Sequence, residues 1–387
     1  MHDVVIAGVG QTAVGEHWDI SLRELALYAI ESARQDAGGL HPQALYVGNM
    51  LAPALSHQSH LGTLIADFAG LTGIEALAVE AAGASGAMAL RLGFLAVASG
   101  AVDTALVLGV EKLSEQTVSN VDAAMASTTD SDYESELGIT PTALAAMLMQ
   151  RYIHEFDVPP GAFSGFPLTA HANGASNSYA MFQRAIKPES YHKAAVVSAP
   201  LNMFDIAPNA DGAAALLLTR PELLPQKFHH PLIRVAGSSV VTDTLALHDR
   251  PDPLSLQAAR LSVERALKQA ALSLDEVNLF EVYDAFSIFG ALSLEAAGFA
   301  ERGQGWRWAM DGDIGLQGKL PVSTFGGLKA RGNPGGATGV YQAVEAALQL
   351  RGQAGQNQVQ GAASALIQSL GGPASTAVSH ILQQISQ

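Results

Sequence analysis

The chain of 387 residues contains no cysteine. This absence excludes disulfide bonds, cysteine-ligated metal sites and catalysis by a cysteine thiolate. Aromatic residues make up only 6% of the sequence, whereas glycine is frequent, with 38 copies. His57 and His60 have ligand-like spacing, but no third ligand lies near them in the sequence, so we expect no metal site. The predicted core is one of helices and strands that pack closely on small side chains.

Positive charge and long apolar runs are also scarce. The 21 lysines and arginines against 36 acidic residues give a formal net charge of −15, which argues against a nucleic-acid-binding surface. Met1, His2 and Asp3 lead directly into an apolar strand, so there is no basic region typical of a signal peptide. No apolar run approaches the length of a membrane span. These features predict a cytoplasmic protein.

The order of apolar segments predicts an α/β protein with more than one core, which suits a chain of this length. Residues 4–9 form a β-branched run typical of a buried parallel strand. Ser21 and Glu24 form a capping box, and the apolar face that follows predicts a helix ending at Gly38. Residues 103–110 are apolar throughout, which indicates a central strand.

The same pattern restarts in the second half of the chain. A strand at residues 232–236 precedes a helix at 255–271 whose apolar spacing mirrors the helix that begins at Ser21. We interpret this as an internal duplication of two β-α-β-α-β halves. Residues 1–113 and 206–228 form the predicted first half, and residues 229–387 form the second. Residues 114–205 are polar and rich in turn residues, which predicts an inserted loop domain.

A turn of small residues at positions 81–88 is the strongest candidate for a functional site. It lies between a predicted buried strand at 76–79 and a predicted helix at 88–99. The first N–H groups of a helix lack intrahelical partners and carry partial positive charge, so they can hold a carbonyl oxygen. A nucleophile would be expected near Gly83, yet none is present. The glycine-rich segment 335–339 is the counterpart in the second half.

Five segments together resemble the thiolase superfamily, in particular sterol-carrier-protein-type thiolases and acetyl-CoA acetyltransferases. The resemblance extends from Met1 to about Leu382. It implies a thiolase fold of duplicated α-β-α-β-α layers, a homodimer whose sheet continues across subunits, and a coenzyme A thioester as ligand, with no tightly bound cofactor. The segments that carry it are residues 80–86, 209–214, 282–286, 326–339 and 370–372.

The sequence departs from this family where the resemblance places the chemistry. Gly83 stands at the position of the nucleophilic cysteine, and Asn333 and Tyr283 stand at those of two histidines. Ser369 replaces a second, proton-moving cysteine. Claisen chemistry needs a thiolate and a base, which glycine and an amide cannot supply. Ser85 is a nearby hydroxyl, but it would need an activating base of its own.

The resemblance also implies that two backbone N–H groups hold the thioester oxygen. These belong to Gly83 and to Gly371 or Gly372, and they do not depend on side chains. Such donors can contribute several kcal/mol of transition-state stabilisation. We further expect that glycine at position 83 enlarges the pocket. The sequence therefore predicts a site that still polarises a thioester but no longer transfers its acyl group.

Three functions are compatible with this pattern. The first is retro-aldol cleavage of a β-hydroxyacyl-CoA, with Tyr283 as general acid or base and Asn333 orienting the substrate; equally, Tyr283 can be an aromatic that only fills space. The second is a non-catalytic subunit that binds acyl-CoA or a partner, including a small OB-fold acyl-CoA-binding protein. The third is an acyltransferase with an unrecognised nucleophile.

Basic residues of the inserted segment are the candidates for coenzyme A contacts. Arg151, Arg184, Lys187 and Lys193 could meet its phosphates, although isolated surface cations are most often only solvated. His171 lies in the same segment and is a candidate for lining the pocket; a structural hydrogen bond is the alternative.

Overall fold

A computed structural model describes residues 2–385 and contains eleven strands. The strands are β1 (Val5–Gln11), β2 (Ala44–Gly48), β3 (Glu75–Val79), β4 (Thr104–Glu111), β5 (Val196–Ser198), β6 (Leu201–Asn202), β7 (Gly212–Thr219), β8 (Leu232–Thr242), β9 (Leu279–Glu281), β10 (Ser364–Gly371) and β11 (Thr376–Ile385). Nine of them form one sheet in the order β3-β2-β4-β7-β1-β8-β11-β10-β9, and β5 pairs with β6. The halves of the chain thus meet at the β1–β8 pair.

Twelve α-helices cover and separate the strands of the described chain. They are α1 (Leu22–Asp36), α2 (Ala52–Leu55), α3 (Leu61–Phe68), α4 (Ser85–Ser99), α5 (Val118–Ala126), α6 (Pro141–Phe156), α7 (Gly165–Gly174), α8 (Pro188–His192), α9 (Gln257–Ala270), α10 (Ser287–Ala297), α11 (Gly305–Met310) and α12 (Thr338–Leu350). Helices α4 and α12 pack against each other and against the strands of both halves, whereas α1 packs on β1 and β7 and α9 on β8 and β11. The result is a layered α/β architecture with α4 and α12 in its central layer.

Strand β1 was predicted to be parallel, and this prediction is wrong. It is antiparallel to both neighbours, β7 and β8. Its apolar run reflects burial on both faces, since the adjacent residues Ile6 and Ala7 are both buried and belong to different core clusters. Continuous apolar sequence reports this two-sided burial, which is most common in parallel sheets but is not restricted to them.

Strand β3 was predicted to be buried, and this prediction is also wrong. It is the last strand of the sheet and, within residues 2–385, it pairs with β2 alone. Most of its side chains are exposed, and Leu77 retains 42% of its accessible surface. An apolar strand with an open edge is an unusual feature for a single chain, because such edges pair readily with other strands.

The segment between β4 and β7 contains α5 to α8 and the small β5–β6 pair. Helix α6 has a capped N-terminus: the Thr140 side chain accepts a hydrogen bond from the Ala143 N–H, and Pro141 occupies the first turn. The segment therefore has helices of its own rather than being an extended loop. The boundaries of the three predicted domains stay predictions.

One helical stretch is as long and apolar as a membrane span, which was not expected from the sequence. The stretch Ala82–Ser99 has 18 residues and a mean hydropathy of 1.3, enough by length and composition to cross a membrane. However, 61% of it is buried inside the fold. This stretch is α4 with the turn that precedes it, and its apolar composition serves the packing of the central layer.

Candidate active site

A cavity of about 440 Å³ opens where the two glycine-rich turns of the chain meet. Gly83 lines it from the turn before α4, and Asn333 lines it from the segment before α12. Tyr283, just after β9, and Gly372, just after β10, complete this end. Side chains from the inserted segment and from α10 form the remaining walls, among them Met125, Thr140, Leu144, Ile206, Ala207, Asn209, Phe286 and Phe289.

The turn at Gly83 is held by the hydroxyl group of Ser85. The Ser85 Oγ donates to the Ala82 carbonyl oxygen at 2.6 Å and accepts from the Ala81 N–H at 2.9 Å. The side chain is fully buried and does not line the cavity. Ala82 has a positive φ of 50°, so this brace stabilises a strained turn. Ser85 is thus engaged as a structural residue, which argues against its role as a substitute nucleophile.

Tyr283 occupies the space beside Gly83. A Cβ atom built at position 83 would lie 2.3 Å from the Tyr283 hydroxyl oxygen and 2.7 Å from the Leu370 carbonyl oxygen. Both distances are well below van der Waals contact. The expectation that glycine enlarges the pocket is therefore wrong, because the phenol of Tyr283 fills the volume that a side chain would take.

The proton of Tyr283 is held tightly. Burial, and then the nearby Asp284 carboxylate, raise the pKa of Tyr283 well above its usual value near 10. Burial also raises the pKa of Asp284 to about 6, although this carboxylate accepts a hydrogen bond from the Leu328 N–H at 2.7 Å. At neutral pH, Tyr283 is a neutral phenol. It can donate a hydrogen bond or a proton, and it is a poor free base.

The amide of Asn333 has a fixed orientation. Its Oδ1 accepts from the Gly335 N–H at 3.2 Å and from the Thr338 hydroxyl at 3.4 Å. A backbone N–H can only donate, so the partner at Gly335 identifies the oxygen. The Asn333 backbone is held as well, by bonds to Pro208 and Ala210. The Nδ2 group is then the donor that this side chain can offer to a ligand in the cavity.

The two glycines at the end of β10 differ in position. Gly371 pairs with Thr376 in the β10–β11 ladder, whereas Gly372 and Pro373 line the cavity. Gly372 has a φ of +56°, a conformation that favours glycine. Ser369 lies deeper: it is fully buried, donates a hydrogen bond to Gln342 and does not line the cavity. Of the three, Gly372 is the residue best placed to meet a ligand.

The candidates for coenzyme A contacts are not brought together. Arg151 is exposed on α6 and pairs with Glu155 at 2.8 Å. Lys187 and Lys193 are exposed at the two ends of α8 and line neither this cavity nor its neighbour. His171 and Arg184 line that neighbouring cavity, described below.

A buried carboxylate that the sequence reasoning missed connects the glycine-rich turn at 335–339 to the residues that follow β2. Glu111, at the end of β4, is fully buried and accepts from the N–H groups of Met50, Leu51 and Gly336 at 2.9, 3.1 and 3.0 Å. Asn49 donates to it at 2.8 Å. Burial raises the pKa of Glu111 to about 7. The only signal in the sequence is one acidic residue that ends an otherwise apolar strand.

Family comparisons decide what this architecture is. Residues 4–199 match the thiolase N-terminal domain, and residues 239–384 match the thiolase C-terminal domain-like family. The chain belongs to the thiolase family. It is 40% identical over 386 residues to an acetyl-CoA acetyltransferase of Methanothermobacter thermautotrophicus, covering 99% of this chain and 100% of that protein. The predicted thiolase fold is confirmed.

Solved structures agree with this fold. A structure described as an Ltp2–ChsH2(DUF35) aldolase superposes with a TM-score of 0.83 at 21% identity, covering 100% of this chain and 98% of that one. Human mitochondrial 3-ketoacyl-CoA thiolase in complex with CoA superposes with a TM-score of 0.77 at 16% identity, with the same coverage of each chain. At these identities the likeness concerns the fold. Together the comparisons make this a thiolase-like protein related to acyl-CoA chemistry.

Proposed function

We propose that this thiolase family member binds an acyl-CoA thioester and breaks or forms a carbon–carbon bond by aldol chemistry on a β-hydroxyacyl-CoA. The observation that carries the proposal is the Tyr283 hydroxyl, which fills the space beside Gly83 where a side chain would project. In this site a proton donor stands next to the candidate carbonyl-binding turn, and no cysteine exists to form an acyl-enzyme. Aldol chemistry needs such a proton donor and does not need an acyl-enzyme.

The chemical step follows from the neutral state of Tyr283. In the cleavage direction the β-hydroxyl loses its proton, the Cα–Cβ bond breaks to give a carbonyl product, and the electron pair forms a thioester enolate. The enolate Cα then takes a proton to give the shortened acyl-CoA. Since its raised pKa disfavours a free phenolate, Tyr283 would pass its proton to Cα as it receives the proton of the β-hydroxyl. The phenol is neutral before and after the step.

The negative charge of the enolate needs hydrogen-bond donors around the thioester oxygen. We assign this role to the backbone N–H groups of Gly83 and Gly372, with Gly371 as the alternative to Gly372. The Asn333 Nδ2 would orient the thioester or the β-hydroxyl. Donors of this kind, fixed in a largely buried site, are among the largest contributors to catalysis. All four residues lie at or beside one end of the cavity.

Partners are proposed on the same basis. The fold match to an aldolase described with a DUF35 component supports an OB-fold-type partner, and the match to a CoA-bound thiolase supports acyl-CoA as ligand without a tightly bound cofactor. The open apolar edge of β3 supports a homodimer in which two copies pair along this strand. We also propose a cytoplasmic location and the three-domain division given above.

A non-catalytic acyl-CoA-binding subunit is the second candidate. It is supported by the scarcity of groups that could act as a base. Among residues 2–385, the only Asp, Glu, His, Lys or Tyr side chains that line the cavity are the exposed Asp122 and Tyr283, whose phenol holds its proton tightly. An acyltransferase is a third reading that the 40% identical relative supports by its name. Ser85 argues against it, because its hydroxyl is buried and makes two hydrogen bonds to the backbone.

Incubation with β-hydroxyacyl-CoA thioesters, followed by mass spectrometry of the products, separates the three. For a lyase we expect a shortened acyl-CoA and a carbonyl product. Tyr283→Phe removes one oxygen atom and should lower kcat by about 100-fold or more while the thioester still binds. Tyr133→Phe, at an exposed tyrosine, is the matched control.

The other outcomes assign the alternatives. Thioester binding without any turnover would support the subunit and refute the lyase. A labelled acyl group left covalently on the protein would instead support the acyltransferase. Wild-type turnover that Tyr283→Phe leaves unchanged would keep a lyase but remove Tyr283 from its mechanism.

A further inference from the structure

A second cavity, of about 720 Å³, lies beside the first and shares Val197, Ile206 and Ala207 with it. It is open to solvent and is lined by α7, the segments 181–186 and 203–208, and a single π-helical turn at Gly327–Arg331. Phe182 and Phe204 give it aromatic walls, and Met181, Ile186 and Met203 add aliphatic ones. A cavity of this size and composition can hold an apolar group as large as many small-molecule ligands.

The polar residues that line this cavity are unusual for so acidic a protein. Lys329, Arg184 and His171 line it, and within residues 2–385 no aspartate or glutamate does. The chain as a whole has a net charge of −15. Arg184 is exposed at the mouth, whereas Lys329 and His171 are 92% and 96% buried, from accessibilities of 8% and 4%. Two basic side chains are thus buried in the wall of an open, largely apolar cleft.

Lys329 donates two hydrogen bonds, which leaves part of its donor capacity unused. Its Nζ donates to the carbonyl oxygens of Ile206 at 2.6 Å and Met203 at 3.1 Å, and the ammonium lies 5.6 Å from the centroid of the Phe204 ring. An ammonium has three N–H groups, so one remains for a ligand. Burial lowers the pKa of Lys329 to about 8, and Asp205 and Asp284 favour its charged form, but neither carboxylate lines the cavity. Inside the cavity the positive charge has no carboxylate partner.

His171 contributes a second unsatisfied group. Its Nδ1 lies 3.1 Å from the Arg184 carbonyl oxygen, so this nitrogen carries the ring proton. The Nε2 is buried and has no hydrogen-bond partner within residues 2–385. Such buried orphan atoms are rare and often indicate a ligand or water that completes the site. Burial, and also the nearby Lys329 ammonium, lower the pKa of His171, so its ring is neutral near pH 7 and Lys329 alone supplies the buried positive charge.

We propose that this second cavity is a binding site for a carboxylate carried on an apolar body, with Lys329 as its charged anchor. A phosphate needs several donors at once, and the one N–H that Lys329 has left suits a single carboxylate better. The carboxylate has two sources: the far end of the acyl chain of the CoA thioester, or a free carboxylic acid. The first source rests on the proposed function; the second does not.

Calorimetric titration with 4-phenylbutyrate tests the site itself, and its neutral isostere 4-phenylbutanamide tests the need for charge. We expect the acid to bind at least about tenfold more tightly than the amide, as for one charge-assisted hydrogen bond. Lys329→Met should remove this preference, and Lys268→Met, at an exposed lysine of α9, should keep it. Met203→Trp leaves the ammonium in place and fills the cavity, so it should also abolish binding.

Competition between suberyl-CoA and octanoyl-CoA identifies the source. If the acyl chain supplies the carboxylate, suberyl-CoA binds the wild type more tightly, and Lys329→Met lowers its affinity about tenfold without affecting octanoyl-CoA. If only 4-phenylbutyrate depends on Lys329, the ligand is a free acid.

The inference is overturned if acid and amide bind alike and suberyl-CoA has no advantage, or if folded Lys329→Met binds the acid as the wild type does. Should Lys329→Met fail to fold, Met203→Trp decides. A protein that binds the acid through Lys329 but neither binds nor converts CoA thioesters would refute the proposed function and leave this site standing.

Discussion

Replacing Gly83 by alanine tests the central geometry of the site. The added Cβ would lie 2.3 Å from the Tyr283 hydroxyl oxygen, 2.7 Å from the Tyr283 Cζ and 2.7 Å from the Leu370 carbonyl oxygen. The Leu370 carbonyl belongs to the backbone of β10 and cannot give way, and the Tyr283 ring can do so only by shifting into the cavity. Overpacking of this kind costs about 1–3 kcal/mol. We expect Gly83→Ala to lower the free energy of unfolding by about 2 kcal/mol, near the middle of that range.

Tyr283 supplies most of this clash, so the two positions should be coupled. In a Tyr283→Ala background the contacts to the hydroxyl and Cζ disappear and the contact to the Leu370 backbone remains. Gly83→Ala should then cost about half as much, giving an interaction energy of about 1 kcal/mol between the two sites. Gly15→Ala is the control, because a Cβ there meets nothing within 4 Å and the backbone has no positive φ.

Urea unfolding of the four proteins, followed by circular dichroism, measures this cycle. Strictly additive effects would refute the claim that Tyr283 fills the space beside Gly83. A stable Gly83→Ala protein with unchanged unfolding would have the same consequence. The cycle does not depend on any assumed substrate, so it remains informative if the enzymatic proposal fails.

Two further predictions concern the braces around the cavity. Burial raises the pKa of Glu111 to about 7 from 4.5, so the folded state binds this proton more tightly than the unfolded state. The contribution of Glu111 to the free energy of unfolding therefore falls as pH rises from about 4.5 to 7, by up to about 3 kcal/mol. Over this pH range, the free energy of unfolding should decline less steeply for Glu111→Gln than for the wild type. Parallel curves of this free energy against pH would contradict the prediction. Ser85→Ala leaves the Ala81 N–H without its acceptor and should cost about 1–3 kcal/mol, measured by urea unfolding. A fluorophosphonate probe should leave Ser85 of the wild type unlabelled by mass spectrometry, and labelling there would revive it as a nucleophile.

The sequence was informative wherever local pattern determines structure. The capping box at Ser21 and the helix expected at 255–271 both lie where they were predicted. Each depends on residues within a few positions of one another. The direction of β1 and the exposure of β3 were mispredicted for the opposite reason. Both depend on which strands become neighbours, and an apolar run carries the same pattern in either arrangement.

The same distinction explains the site. The motifs were sufficient to infer that Gly83, Tyr283 and Asn333 belong to one site. They did not indicate that the Tyr283 side chain fills the space beside Gly83. The sequence suggested a missing side chain and hence a larger pocket. The structure places a phenol from the other half of the chain, 200 residues away, into that volume.

Glycine at 83 and tyrosine at 283 are therefore sterically coupled. A Cβ at position 83 and a phenol at position 283 cannot both occupy this point in the present backbone. A smaller residue at position 283 would also avoid the clash, but it would place no hydroxyl beside Gly83. The hydroxyl that stands there is the proton donor that the proposed aldol chemistry requires, so the pair favours the proposed lyase over the non-catalytic subunit.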